Sequence, residues 1–126
     1  MATLLNEIYV ALHNNLLSLA TMGVRALLEK VMIAQVGDLG SFAAHVRKFE
    51  DLGHVSPLQR ARLDAILEAG HAAMHRMYAP SEEDVVVVLD IAESIIASIY
   101  VHDSLVRGLK QRVPAKVAKV PKGGKP

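Results

Sequence analysis

The 126 residues include no cysteine and no tryptophan. The first absence excludes disulfides, thiolate nucleophiles and cysteine-bearing zinc sites, and it fits a cytoplasmic setting. Aromatic residues make up only 4% of a chain that is 52% hydrophobic. Leucine, alanine, valine, isoleucine and methionine must therefore fill the interior, which favours helix packed on helix over a β-sandwich. Uninterrupted apolar runs of membrane-spanning length are missing as well. The most apolar stretch, Val85 to Val101, carries Asp90 and Glu93, which a spanning helix rarely tolerates. Near the start, Glu7, His13, Asn14 and Asn15 stand where a secretory signal would be apolar. A cytoplasmic protein with no membrane partner is expected.

Acid is absent from the last 20 residues, and this divides the charge. Residues 1–106 hold 7 Lys/Arg and 13 Asp/Glu, whereas residues 107–126 hold 7 Lys/Arg and no acid. An acidic body thus ends in a basic tail. Length suits one domain, placed at residues 1–110. The segment 111–126, with Pro114, Pro121, Gly123, Gly124 and spaced lysines, is expected to be disordered.

Within the body, apolar residues recur at three-and-four spacing and predict helices. Leu5, Ile8, Leu12, Leu16, Leu19, Met22, Ala26 and Leu27 predict one long helix over about Leu4 to Gln35. Asn14, Asn15 and Gly23 are weak helix formers, where a bend is tolerable. A break at Val36–Gly40 precedes Ser41, a good N-cap for a second helix over Phe42 to Leu52, ended by a left-handed Gly53. Ser56-Pro57 opens a third helix with a capping hydroxyl and a proline at the first helical position. Ser81-Glu82-Glu83-Asp84 opens a fourth, with acids at the positive end of its dipole, running to about Leu109. The expected fold is all-α, a four-helix up-and-down bundle followed by the basic tail. Its strongly apolar first and fourth helices leave room for a homodimer face.

One stretch concentrates the chemistry: Leu67 to His75, reading L-E-A-G-H-A-A-M-H. His71 and His75 lie four apart and share a helix face. Arg25 and Glu29 also lie four apart, in the weaker order for a local ion pair, although an ordinary ion pair remains the simplest reading of that spacing. Glu68, His71 and His75 have helix-compatible metal-ligand spacing. A di-iron reading of Glu68 and His71 fails because Glu93 has Ile96 where a second histidine is needed, and no metal or cofactor is expected. His45 and His54 have no companion at ligand spacing and read as surface or rim residues.

Four pieces in order resemble a HEPN-like domain-of-unknown-function family, the 4145 family, found in bacterial and archaeal proteins. They are Arg25-Ala-Leu-Leu-Glu29, the short amphipathic segment Ser41 to Gly53, the stretch Ala65-Ile66 through Gly70 and His75, and Ser81-Glu82-Glu83-Asp84 leading to Tyr100. The third is similar to the family pattern Ile-Arg-x-x-Gly-Asn-x-x-x-His, and the resemblance covers about residues 5 to 101. It implies a dimerising helical bundle of a clan rich in ribonucleases from defence and toxin–antitoxin systems. There a histidine handles protons at the ribose 2′-hydroxyl or leaving oxygen, and an arginine stabilises phosphorane charge. In this chain His75 and Gly70 match the pattern, while the arginine position is Leu67 and the asparagine position is His71. The catalytic-type arginine is missing, and Arg25 is the family-matched cation left to substitute.

Three readings follow. The first is an accessory protein of a nucleic-acid-related defence or toxin system, non-catalytic, acting through dimerisation and RNA or protein binding. The second is a metal-independent endoribonuclease using His75 with Arg25 or His71. The third is a purely structural module, in which His71, His75, Arg25, Glu29 and Tyr100 form an interhelical hydrogen-bond cluster beside Gly70. Lys116, Lys119 and Lys122 of the tail are candidate contacts to RNA or another polyanion, without aromatics to read bases.

Overall fold

The long stripe expected over Leu4 to Gln35 is broken once, at Asn14-Asn15-Leu16. In a computed structural model that describes residues 2–117, α1 runs over Ala2–His13 and α2 over Leu17–Val36. Asn15 takes the left-handed conformation, with φ at +61°. The Leu16 N–H bonds the Ala11 carbonyl at 2.8 Å, and the Asn14 side chain donates to the Val10 carbonyl at 2.8 Å. Asparagine suits both tasks, because its short amide bonds nearby backbone and tolerates this region. The chain thereby reverses and lays α1 back along α2. Replacing Asn15 with valine is expected to destabilise the fold by about 1–2 kcal/mol. Asn15→Gly should stay close to wild type, and thermal unfolding of the pair measures the difference.

The next two helices match their expected limits. α3 spans Phe42–Asp51 and α4 spans Pro57–His75. Ser41 accepts from the Ala44 N–H, and Ser56 with Gln59 forms a reciprocal capping box ahead of Pro57. Gly53, left-handed at φ +81°, follows α3.

The expected fourth helix is two. α5 covers Glu82–Tyr100 and α6 covers His102–Arg112, with a 44° bend between them. The four-rod expectation therefore becomes six helices, with no strand among the described residues. No single described helix is long and apolar enough to cross a membrane; only the bent pair α5–α6 meets that test.

Ser81 caps α5 and accepts from the Asp84 N–H at 3.1 Å, while Asp84 accepts from the Ser81 N–H at 3.0 Å and from the Tyr78 hydroxyl at 2.8 Å. The Ser81 backbone bond, then the Tyr78 hydroxyl, hold the Asp84 carboxyl below its ordinary range. A carboxyl depressed on folding contributes stability that is complete above its unfolded pKa, about 3.9, and is lost as pH falls through the lower folded value. Thermal midpoints should therefore drop on acidification below that range, and Asp84→Asn should flatten this part of the profile. Ser81→Ala should lower stability by about 1 kcal/mol at neutral pH.

α2 is the centre of the packing and touches α1, α3, α4 and α5. Its Ala20, Val24, Leu27, Leu28, Val31 and Met32 are buried, on a stripe wide enough to face several neighbours. Against it lie Ile8 of α1, Val46 and Phe49 of α3, Leu63, Ile66 and Leu67 of α4, and Val85, Leu89, Ala92 and Ile95 of α5. Tyr9 of α1 donates to Glu93 of α5, which ties α1 across the bundle. That carboxylate, together with burial, raises the Tyr9 pKa. α6 continues from α5 beyond the bend and buries no residue.

His45 corrects the reading of a surface or rim histidine. It is 2% exposed, and its Nε2 accepts from the Leu39 N–H at 2.9 Å. The ring must then carry its proton on Nδ1, which finds no partner among the described residues. Its task is to hold the loop between α2 and α3, a role that spacing from other histidines cannot reveal.

Candidate functional site

Arg25 sits mid-way along α2, on the side that faces α3 and the second half of α4. Its guanidinium carbon lies 3.8 Å above the centre of the Phe42 ring, a cation–π distance. Its Nη1 donates to the Leu67 carbonyl at 2.6 Å. That carbonyl belongs to the interior of α4, so the bond joins α2 to α4 through backbone. Burial moves the Arg25 pKa down, and the nearby Glu29 carboxylate works against that shift. An arginine keeps its charge regardless. The Arg25–Glu29 ion pair, the simplest reading of the spacing, is not among those the described residues form. Arg25 turns instead to an aromatic face and a backbone oxygen.

Gly70 makes this approach possible. A Cβ built there would stand 2.7 Å from the Arg25 Cβ and 3.0 Å from its Cδ. Beside it on α4, the rings of His71 and His75 lie against each other, tilted, with centroids 4.7 Å apart and 49° between their planes. His71 is half-buried and His75 is exposed. Together with Met22, Ala26, Glu29, Phe42 and Met74 they line an open hollow of about 290 Å³. An adjoining hollow of about 370 Å³ shares Arg25, Phe42 and His71 and adds Asp64, Leu67 and Glu68. Glu68 is held by Arg76 at the C-terminal cap of α4.

The groove brings Arg25, Glu29, His71 and His75 together, with Gly70 packed against Arg25, but the hydrogen bond Arg25 makes goes to the Leu67 carbonyl and not to these side chains. Tyr100 does not join them. It stands at the far end of α5, where its hydroxyl accepts from Gln35 Nε2 at 3.0 Å. Gln35 lies ten residues beyond Arg25 on α2, about 15 Å along the helix. Lys116 is exposed past the end of α6, and Lys119 and Lys122 lie outside the described residues. Glu68, His71 and His75 do not assemble into a ligand set: no group of three metal-ligating side chains converges among the described residues.

Phe42, Leu67 and Arg76 are the participants that the sequence reading passed over. Leu67 contributes through its carbonyl, for which no side-chain pattern exists. Arg76 reaches back eight residues to Glu68, and only the end of α4 at His75, with the chain turning there, brings them together.

A family described as Domain of unknown function (DUF4145) matches residues 6–121. The chain belongs to this family. No curated protein and no solved structure matches it. The DUF4145 match covers all six helices except the first four residues of α1, so the groove of α2, α3 and α4 lies wholly inside the family domain.

In chemical terms, the DUF4145 groove offers two adjacent, mutually tilted imidazoles at a solvent-facing rim and a guanidinium fastened at its back. Three carboxylates, Glu29, Asp64 and Glu68, share its walls. The carboxylates oppose the approach of a phosphodiester.

Proposed function

We propose that this DUF4145 protein is a non-catalytic HEPN-like accessory module, in which α2 to α5 form the four-helix bundle of that class. It works in the cytoplasm in a nucleic-acid-related defence or toxin system, as a homodimer that binds RNA or protein. The observation that carries the reading is the engagement of Arg25 with Phe42 and the Leu67 carbonyl. A nuclease of the histidine–arginine type needs a cation aimed at the developing phosphorane charge. Here Arg25, the family-matched arginine, braces three helices, position 67 is leucine, and the acidic neighbours at 64 and 68 disfavour a phosphate. The same bracing supports a structural use of the His71–His75 end of α4.

RNA contact falls to the basic segment after residue 106, whose seven positive charges favour phosphate by counterion release. Association with RNA should weaken steeply with salt and show little base preference, because the segment carries no aromatic residue.

The test is a cleavage assay with purified protein on structured and single-stranded RNAs, run beside His75→Ala and Arg25→Ala. Intact RNA with wild type, and no difference among the three proteins, is the expected result. Cleavage by wild type that His75→Ala abolishes would overturn the non-catalytic reading in favour of a metal-independent endoribonuclease.

A further inference from the structure

Two apolar features of the chain lack a partner among the described residues. The first is a groove of about 520 Å³ between α1 and α2, floored by Ile8 and Gly23 and edged by Val10, Leu16 and Leu19. These edge residues are 60%, 49% and 58% exposed, an unusual arrangement for adjacent apolar side chains on a monomer. The second is α6. Val101, Leu105, Leu109 and Val113 recur every four residues, form one stripe, and are all exposed.

We infer that α6 of one copy seats in the α1–α2 groove of a second copy, and that reciprocal exchange closes a twofold dimer. Dimensions agree. The groove runs eight residues along α1 from Thr3 to Ala11, about 12 Å, and the stripe from Val101 to Val113 advances twelve residues, about 18 Å, long enough to fill it. Charge agrees as well. The groove is part of the acidic body and has Glu7 on its wall, whereas Arg107, Lys110 and Arg112 flank the stripe on α6. One helix face in one groove buries on the order of half of a standard interface of about 1,600 Å², and exchange doubles it to a size that holds a stable dimer. Among the described residues α6 continues from α5 and buries no residue of its own, so its stripe is left for another copy. This inference rests on the reading of the chain as a self-associating module and assigns the surfaces that do so.

Helix-in-groove pairing has a property that pairing of like surfaces lacks: the two halves of the interface can be damaged separately. Leu109→Asp spoils the helix and Leu19→Asp spoils the groove, and both side chains are exposed, so the fold should survive. Sedimentation equilibrium of the full chain reads the result. Wild type should be a dimer, and each variant should self-associate at least about tenfold more weakly. An equimolar mixture of the two variants should recover a heterodimer through its one intact pairing. A wild type that stays monomeric across the micromolar range overturns the inference. So does a Leu19→Asp protein that dimerises like wild type, or a mixture that associates no better than its components. Neither substitution touches the groove of α2, α3 and α4, so RNA cleavage and self-association can fail independently.

Discussion

Alanine at Gly70 is expected to lower stability by about 1 kcal/mol, although glycine inside a helix ordinarily favours the opposite outcome. In an open helical position, Gly→Ala gains about 1 kcal/mol from propensity alone. Here the new methyl would lie 2.7 Å from the Arg25 Cβ and 3.0 Å from its Cδ. A Cβ is fixed to its helix, so α2 and α4 must separate, and overpacking of this kind costs about 2 kcal/mol. The balance is destabilising. Gly70→Val, with a branched side chain at the same contact, should lose about 3 kcal/mol. The cause can be isolated by moving the space across the contact. In an Arg25→Gly background the obstructing atoms are gone, and Gly70→Ala should then stabilise by about 1 kcal/mol. Urea unfolding of the four proteins gives the coupling directly. An unchanged cost in the Arg25→Gly background would show that the close approach of α2 and α4 is not what Gly70 provides.

Phe49→Ala is expected to be the more damaging substitution, at about 4 kcal/mol. Phe49 is the largest fully buried side chain, at 1% exposure, and α3 has only His45 and Val46 buried beside it. Ten residues make too short a helix to persist without tertiary support. Loss of this anchor should loosen α3 before the rest of the bundle. Its consequence for the groove is specific, because Phe42 of α3 is the ring beneath the Arg25 guanidinium. Amide hydrogen exchange in Phe49→Ala should accelerate first in Phe42–Asp51 and leave α5 protected. Uniform acceleration across all helices would mean that α3 opens only with global unfolding.

Local chemistry explains which parts of this fold could be read in advance. Ser41, Ser56-Pro57 and Ser81 mark helix starts because a hydroxyl, a proline and a short loop act within a few residues, and each start is where it was expected. The break at Asn14-Asn15 was visible only as a permissible bend, because the three-and-four stripe continues across it from Leu12 to Leu16 and Leu19. Reversal of α1 onto α2 depends on Ile8 meeting Gly23 and Tyr9 reaching Glu93, contacts that no local window contains. Val101 gives less warning still. It is an apolar residue in an apolar run, and the backbone bonds from Val101 to Ala97 and from Leu105 to Val101 persist through the bend.

The groove divides in the same way. Gly70, His71 and His75 could be grouped because helical spacing puts them together, and the family pattern added Arg25. The purpose of Arg25 could not be read, since its partners are a ring on another helix and a carbonyl at a position known only as leucine. His45 was misread for a related reason. Its acceptor role toward Leu39 concerns a backbone N–H in a loop, which sequence spacing does not encode. Tyr100 was grouped with the wrong end of α2, because helix pairing alone does not give the register of α5 against it.

A brace keeps its contacts when RNA binds, whereas a phosphate ligand gives them up, so the Arg25 guanidinium distinguishes the two roles. Its most direct measurement is side-chain nitrogen NMR of Arg25, with the His71 and His75 ring signals followed in parallel, during titration with a short RNA. Arg25, His71 and His75 are expected to stay unshifted while backbone signals of the basic C-terminal segment move. Concerted shifts of Arg25 and the two histidines, saturating with RNA, would contradict the role of a brace.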